Sequence, residues 1–283
     1  MKILVILNGI SRKRNYFLKK IYPFLNAELA ITEYAGHAEE IAENSDHDII
    51  LSAGGDGTMS QVLNGVMKKE KQPTLGLIPL GSGNDLARSL KVRSDQIVSL
   101  LKANKPREVD IGSVTLNHKT RYFINECSIG MGPEVVKRIE GSKKGNASVK
   151  YLAAIISTFF THRPQPVEIR SPDYHWQGNA RVLAIANGKA FGHSIYIAPD
   201  AEMADGRLNL FLCKAIPLMK FLLYLQAIKL PKKINDSRWL DYRTVDHFEI
   251  TSPVPLPVEA DGELIGFTPL IGGVHRNRIK ILA

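Results

Sequence analysis

Apolar and polar positions follow two different rhythms along this 283-residue chain. In the first 113 residues, short apolar runs alternate with longer amphipathic stretches. Lys2–Leu7 (KILVIL), Asp48–Ser52 and Thr74–Leu80 lack a polar face, which predicts strands buried on both sides. Helix, strand and helix are predicted between Asn8 and Asn44. A helix capped by Ser94 follows to Lys102, then a strand from Glu108 to Val114. This alternation predicts a doubly wound α/β domain over residues 1–113.

From Val114 onward the rhythm changes. Short β-like runs occur at Arg121–Ser128, Val167–Arg170, Arg181–Ala186, Arg207–Cys213, His247–Thr251, Glu263–Phe267 and Arg278–Leu282, with turn residues between them. Such a series predicts a mainly antiparallel β-sandwich over 114–283. Two helical stretches interrupt it. One runs from Gly132 to about Thr161. The other, Pro217–Leu230, carries Leu218, Phe221, Leu222, Leu225 and Ile228 on one face, with Lys220, Lys229, Lys232 and Lys233 on or beside it.

Composition narrows the class. The chain is 44% hydrophobic and 23% charged, as a water-soluble globular protein is. A net charge of +9 suits anionic lipid, nucleic acid or ATP, and equally a solvated lysine-rich face. Cys127 and Cys213 lie in apolar runs and are expected as free buried thiols; no CxxC or Cys/His cluster suggests zinc. No run reaches transmembrane length, and Met1–Leu7 is too short for a secretory signal. The expectation is a cytoplasmic protein whose membrane contact is peripheral.

The chemistry concentrates where strands meet glycines. Ile49–Ser52 runs into Gly54-Gly55-Asp56-Gly57-Thr58, just before a predicted helix. In open α/β sheets, ligands bind at that edge, and free N–H groups at a helix start favour an anion. Asp56 would repel a phosphate unless a cation bridges them, and Mg²⁺ suits a carboxylate, waters and phosphate oxygens. A tight turn with a surface aspartate explains the same residues. The pattern recurs after Thr74–Leu80, in Gly81-Ser82-Gly83-Asn84-Asp85, with Asn84 as the expected N-cap. Two adjacent crossovers bring Asp56 and Asp85 to one sheet edge. Other phosphate motifs are missing: there is no Walker A lysine, no DFG, and no third glycine for a dinucleotide fingerprint.

GGDGT followed by PLGSGND resembles the soluble lipid kinases, the diacylglycerol kinase and sphingosine kinase catalytic domain and its bacterial relatives. The resemblance extends through Thr32–Ala42, Val109–Gly112, Asn125–Gly132 (NECSIGMG), Ile197–Pro199 with Asp205-Gly206, and Asp261-Gly262-Glu263. It implies an ATP- and Mg²⁺-dependent kinase acting on a lipid hydroxyl, diacylglycerol-like or sphingoid. It adds Asn8 and Thr32 to the nucleotide contacts and places Asp56, Asp85 and Asp110 in a water and metal network. Ser82 stands where the family more often has Thr, and Gly9 where it usually has Pro. Asp205 resembles a second, structural metal site. Asp261 and Glu263 resemble the family's proton-accepting tripeptide, although Asp-Gly is also an ordinary hairpin turn. The basic trio Arg12, Lys13 and Arg14 meets phosphate or water.

The resemblance also implies lipid entry beside Met131–Phe160, where Lys143, Lys144 and Lys150 adjoin Tyr151, Leu152, Ile155, Ile156, Phe159 and Phe160. A helix packing its apolar face inward explains the same pattern. His193 has no assigned role. No nucleic-acid partner is expected, and a homodimer is compatible with the chain. Two rivals stay open. An NAD kinase shares GGDGT and the two-domain plan. A non-catalytic nucleotide-binding regulator would keep the fold alone.

Overall fold

The structure, a computed structural model, describes residues 1–140, 147–192 and 195–283. The chain forms two units: Met1–Asp110 with Arg276–Ala283, and Ile111–His275. The boundary expected after residue 113 thus falls at Asp110, and the last eight residues belong with the first unit rather than with the sandwich.

The first unit alternates strands and helices as its rhythm predicts: β1 (Ile3–Leu7), α1 (Arg14–Lys20), β2 (Glu28–Ile31), α2 (His37–Asn44), β3 (Ile49–Gly54), α3 (Asp56–Met67), β4 (Thr74–Pro79), α4 (Asp85–Leu90) and α5 (Ile97–Ala103). The strands are parallel in the order β2-β1-β3-β4. Every residue of β3 is buried, which is why its sequence has no polar face. Val5, Leu7, Leu51, Phe17 and Ile78 form the centre of the core, each such side chain contributing about 1.5–3 kcal/mol on burial. Gly65 lets α3 lie against α2, because a Cβ there would sit 2.3 Å from the Glu39 carbonyl oxygen.

The second unit is built on β5 (Pro106–Leu116), β6 (Lys119–Phe123), β7 (Glu126–Gly130), α6 (Met131–Glu140), α7 (Ala147–Thr161), β8 (Gln165–Ser171), β9 (Tyr174–Ala186), β10 (Leu208–Lys214), α8 (Leu218–Ala227), β11 (Leu240–Val245), β12 (His247–Thr251), β13 (Pro257–Ala260), β14 (Glu263–Phe267) and β15 (Leu270–Leu282). Its strand pairs are antiparallel. The 13-residue β9 is the spine. Its first half pairs with β8, and its second half lies between β7 and β10. Period-two alternation sends Leu183 and Ile185 into the sandwich core. Val182, Ala184 and Ala186 face a second core beneath α6, α7 and α8. An apolar cavity of about 80 Å³ lies there, lined by Phe221, Tyr224 and Leu225 of α8 and by Ile228 at its end, among others.

Two strands escape the sequence reading, β11 and the four-residue β13. The end of β15 runs parallel to β4, pairing Ile281 with Leu75 and Leu282 with Gly76 inside the first unit. Among the described residues, no helix is long and apolar enough to cross a membrane.

Candidate active site

The glycine loops of the first unit are held by close contacts. Gly54 ends β3, and a Cβ on it would fall 2.3 Å from Thr58 Oγ1. That hydroxyl accepts a hydrogen bond from Asn8 Nδ2 at 3.0 Å, and Asn8 Oδ1 accepts the Ile10 N–H at 3.1 Å. Thr32 Oγ1 accepts the Gly9 N–H at 3.1 Å. A Cβ on Gly9 would meet the Thr32 carbonyl oxygen at 2.2 Å, so the glycine in the usual proline position allows the loop to close onto β2. Asn8, Thr32 and Thr58, far apart in sequence, thus converge at the carboxyl ends of β1, β2 and β3.

The second loop lies on the first. A Cβ on Gly81 would be 2.6 Å from Gly55 Cα. Asn84 takes left-handed geometry (φ 54°) and folds its amide back, accepting from the Gly81 N–H at 3.0 Å and donating to its carbonyl at 2.9 Å. Asn84 therefore occupies the N-cap position without capping by its side chain. Asp56 does that instead. Its carboxylate accepts the N–H groups of Asp85 at 3.2 Å and Leu86 at 3.1 Å. Asp85, which is buried, pairs with Arg88 at 2.5 Å. Ser82 is exposed. Burial raises the Asp56 carboxyl above its ordinary value, and the neighbouring Asp85 charge raises it further, against the pull of the backbone N–H groups.

Among the described residues, no group of three or more His, Cys, Asp or Glu is placed to hold a metal. The pair Asp56 and Asp85 is nevertheless suited to Mg²⁺, which takes one or two carboxylates and fills its shell with water and phosphate oxygens. A Cβ at Gly83 would lie 3.1 Å from Asp56 Oδ2 and 3.6 Å from Asp85 Oδ2, so a residue without a Cβ separates the two carboxylates. Asp110 is buried and accepts the Asn277 N–H at 2.7 Å. Asp205 is exposed; its carboxylate accepts the Arg207 N–H at 2.9 Å in a local turn.

In the second unit, Asp261 and Gly262 form the two-residue turn between β13 and β14. Both have positive φ, 48° and 85°, as a hairpin turn with the twist of its strands requires. Asp261 is buried, and its carboxylate accepts three backbone N–H groups: Ile124 at 2.9 Å, Asn125 at 2.9 Å and Glu126 at 3.0 Å. Its own N–H returns a bond to the Glu126 carbonyl. Burial pushes this carboxyl up to about 7, and the three N–H groups pull against that. Glu263 is partly exposed and pairs with Arg121 at 2.7 Å.

Beside the turn lies a group that motif reading passes over. Glu259 is buried and hydrogen-bonded to the Glu126 side chain, to Ser128 Oγ at 2.5 Å and to the Gly262 N–H at 2.9 Å. Burial raises the Glu259 carboxyl, and its bonds to the Glu126 side chain, Ser128 and the Gly262 N–H pull against that. The available signal was an acid inside each of two apolar β runs. Of the expected lipid-entry residues, Ile155 and Phe159 pack inward and Phe160 is exposed. Lys143, Lys144 and His193 lie outside the described residues.

Comparison with known proteins gives this geometry a family. Residues 2–114 match the diacylglycerol kinase catalytic domain, and residues 125–283 match the YegS C-terminal NAD kinase beta sandwich-like domain. A probable lipid kinase YegS-like of Cronobacter sakazakii is 34% identical over 246 residues, covering 83% of this chain and 79% of its own. A diacylglycerol kinase of Bacillus subtilis is 28% identical, covering 83% of this chain and 77% of its own. The crystal structure of a putative diacylglycerol kinase from Bacillus anthracis superposes with a TM-score of 0.83 at 25% identity, over 99% of this chain and 96% of that one. The two domain matches together span nearly all of the sequence, and the chain therefore belongs to the lipid kinase family that they define.

Proposed function

We propose that the chain transfers the γ-phosphoryl group of ATP, with Mg²⁺, to the hydroxyl of a membrane lipid, diacylglycerol-like or sphingoid. The observation that carries this is the pair of carboxylates at the two interlocked glycine loops, Asp85 buried and Asp56 half-buried. Asp56 is charged at a cost that a divalent cation offsets. Asp56 and Asp85 would hold the Mg²⁺, with Asp110 in the surrounding water network. The cation would neutralise charge on the phosphates. Asn8, Thr32, Thr58, Ser82 and the glycines of both loops position the nucleotide.

The acceptor half of the chemistry belongs to the hairpin. The carboxylate of Asp261 has three of its roughly four acceptor positions filled by backbone N–H groups. It positions the turn. Glu263 keeps a partly exposed carboxylate and takes the proton of the lipid hydroxyl as the phosphoryl group arrives. The test is radiolabelled transfer from ATP into a total lipid extract in mixed micelles, with NAD as a parallel acceptor and Glu263→Gln beside the wild type. A labelled lipid with the wild type alone supports the proposal. Label in NAD and in no lipid makes the chain an NAD kinase. ATP binding without any transfer favours a nucleotide-binding regulator.

A further inference from the structure

The helix α8 has two apolar faces, and the fold uses one. Phe221 and Leu225 are buried in the second unit's outer core. On the other side, Met219, Leu223 and Leu230 are 71%, 62% and 63% exposed. Met219 and Leu223 stand at i and i+4 on one face of α8, and Leu230 lies in the turn just past its end. Exposed apolar side chains scattered singly need no explanation, but three on one helix and its terminal turn do.

The charge around this patch is one-sided. From Ile216 to Ile234 there are four lysines, Lys220, Lys229, Lys232 and Lys233, and no acid. Lys220 and Lys233 reach out of the segment to Asp236 at 3.6 Å and Asp200 at 2.7 Å. Exposed ion pairs of this kind exchange easily for other anions. The helix is firmly seated: Ile228 gives its carbonyl to the Tyr196 N–H at 2.7 Å, and Tyr224 bonds Asp236. An apolar patch with four lysines at its margins, two of them paired with Asp236 and Asp200, keeps a net positive border and complements the headgroup and acyl boundary of an anionic bilayer.

We propose that α8 is the face by which this protein docks on anionic membrane. Met219, Leu223 and Leu230 enter the acyl boundary, and Lys220, Lys229 and Lys232 meet lipid phosphates. The proposal rests on the reading of the chain as a kinase of membrane lipids and adds the surface that meets them.

The full chain is sedimented with vesicles of phosphatidylcholine alone and of equimolar phosphatidylcholine and phosphatidylglycerol, without ATP. The wild type is expected on the anionic vesicles only, and less of it as salt rises. A variant with Met219→Ser, Leu223→Ser and Leu230→Ser, and a second with Lys220→Glu, Lys229→Glu and Lys232→Glu, each bind at least about tenfold less, since one basic residue near an anionic surface is worth roughly a fivefold factor. Melting curves check that both fold. In a third variant, Leu223→Trp, emission shifts to the blue on anionic vesicles. Wild-type-like binding by the two multiple variants, no vesicle binding by the wild type, or no spectral shift overturns the proposal. So does conversion of a dimer to a monomer by the same substitutions with vesicle binding intact, which assigns the face to a second copy. Failure of the kinase reading looks different: the wild type binds vesicles through α8 and phosphorylates no lipid.

Discussion

Asp56 and Asp261 stand in the same local sequence, an aspartate before a glycine at the end of a strand, and each turns its carboxylate onto backbone N–H groups. Asp56 accepts them from the start of α4 and has the charge of Asp85 beside it. Asp261 accepts three, from Ile124, Asn125 and Glu126, and is closed off from solvent. The dipeptide is identical, but the burial and the nearest charge differ. In the first unit the carboxylate sits beside a like charge, a repulsion that the proposed cation would relieve. In the second it holds three backbone N–H groups, and the proposed base is Glu263 two residues on.

The sharpest division between the two regions comes from Glu263→Gln. Loss of a general base lowers kcat by about 10²–10⁴-fold. The partly exposed Arg121 pair it breaks contributes at most about 1 kcal/mol. Steady-state transfer and a thermal melt on the same preparation should therefore show a large kinetic loss and a small change in Tm. A large fall in Tm would place Glu263 with the structural acids instead.

Asp56→Asn follows. It keeps one acceptor oxygen and turns its NH₂ toward one α4 N–H, a loss offset by removing the charge that Asp85 repels. Activity drops by about 10²–10³-fold, as when one preorganised electrostatic group is lost, while stability without Mg²⁺ holds or rises. Asp261→Asn behaves in the opposite sense. Its amide NH₂ faces backbone donors, and each buried donor left without a partner costs about 1–3 kcal/mol. Tm falls by several degrees, roughly 2–4 °C per kcal/mol in a unit of this size. Equal Tm values for the two variants would erase the distinction drawn between them.

How much of this the sequence shows depends on whether the information is local. The glycine loops are legible because strand, turn and helix signals are contiguous, and Asp56 and Asp85 are read from them directly. Their mutual arrangement is not. That Asp56 caps α4 while Asn84 folds back on Gly81 depends on the loops lying against each other, set by the Gly81 contact with Gly55. The Asp261 hairpin is legible as a turn, but its three donors come from residues more than 130 positions earlier. The Glu126–Glu259 pair and the return of β15 to β4 have the same character. Each end shows its own pattern, and nothing in either names the other.

The smallest effect is on pH dependence, and it separates the two acids once more. Burial pushes Asp261 up to about 7 from its ordinary 3.8. A carboxyl raised in the folded state holds its proton more tightly there than in the unfolded chain. Its contribution to stability is thus full below the ordinary value and is lost as pH rises through about 7. Glu259, also raised by burial, adds a slope of the same sign. Asp261→Asn removes the first contribution and leaves the second. Its Tm deficit against wild type should be widest near about pH 5 and narrower near about pH 8. Asp56 is raised too, by burial and then by Asp85, so it also favours the fold at low pH. The proposed Mg²⁺ would reverse that sign, because a cation bound to the charged carboxylate stabilises the folded state by mass action as pH rises. Melts of both variants and wild type at the two pH values, with and without Mg²⁺, decide the matter. A Mg²⁺ response that Asp56→Asn abolishes and Asp261→Asn retains keeps the two aspartates in separate roles; one lost equally in both would make Asp261 part of the metal-dependent chemistry.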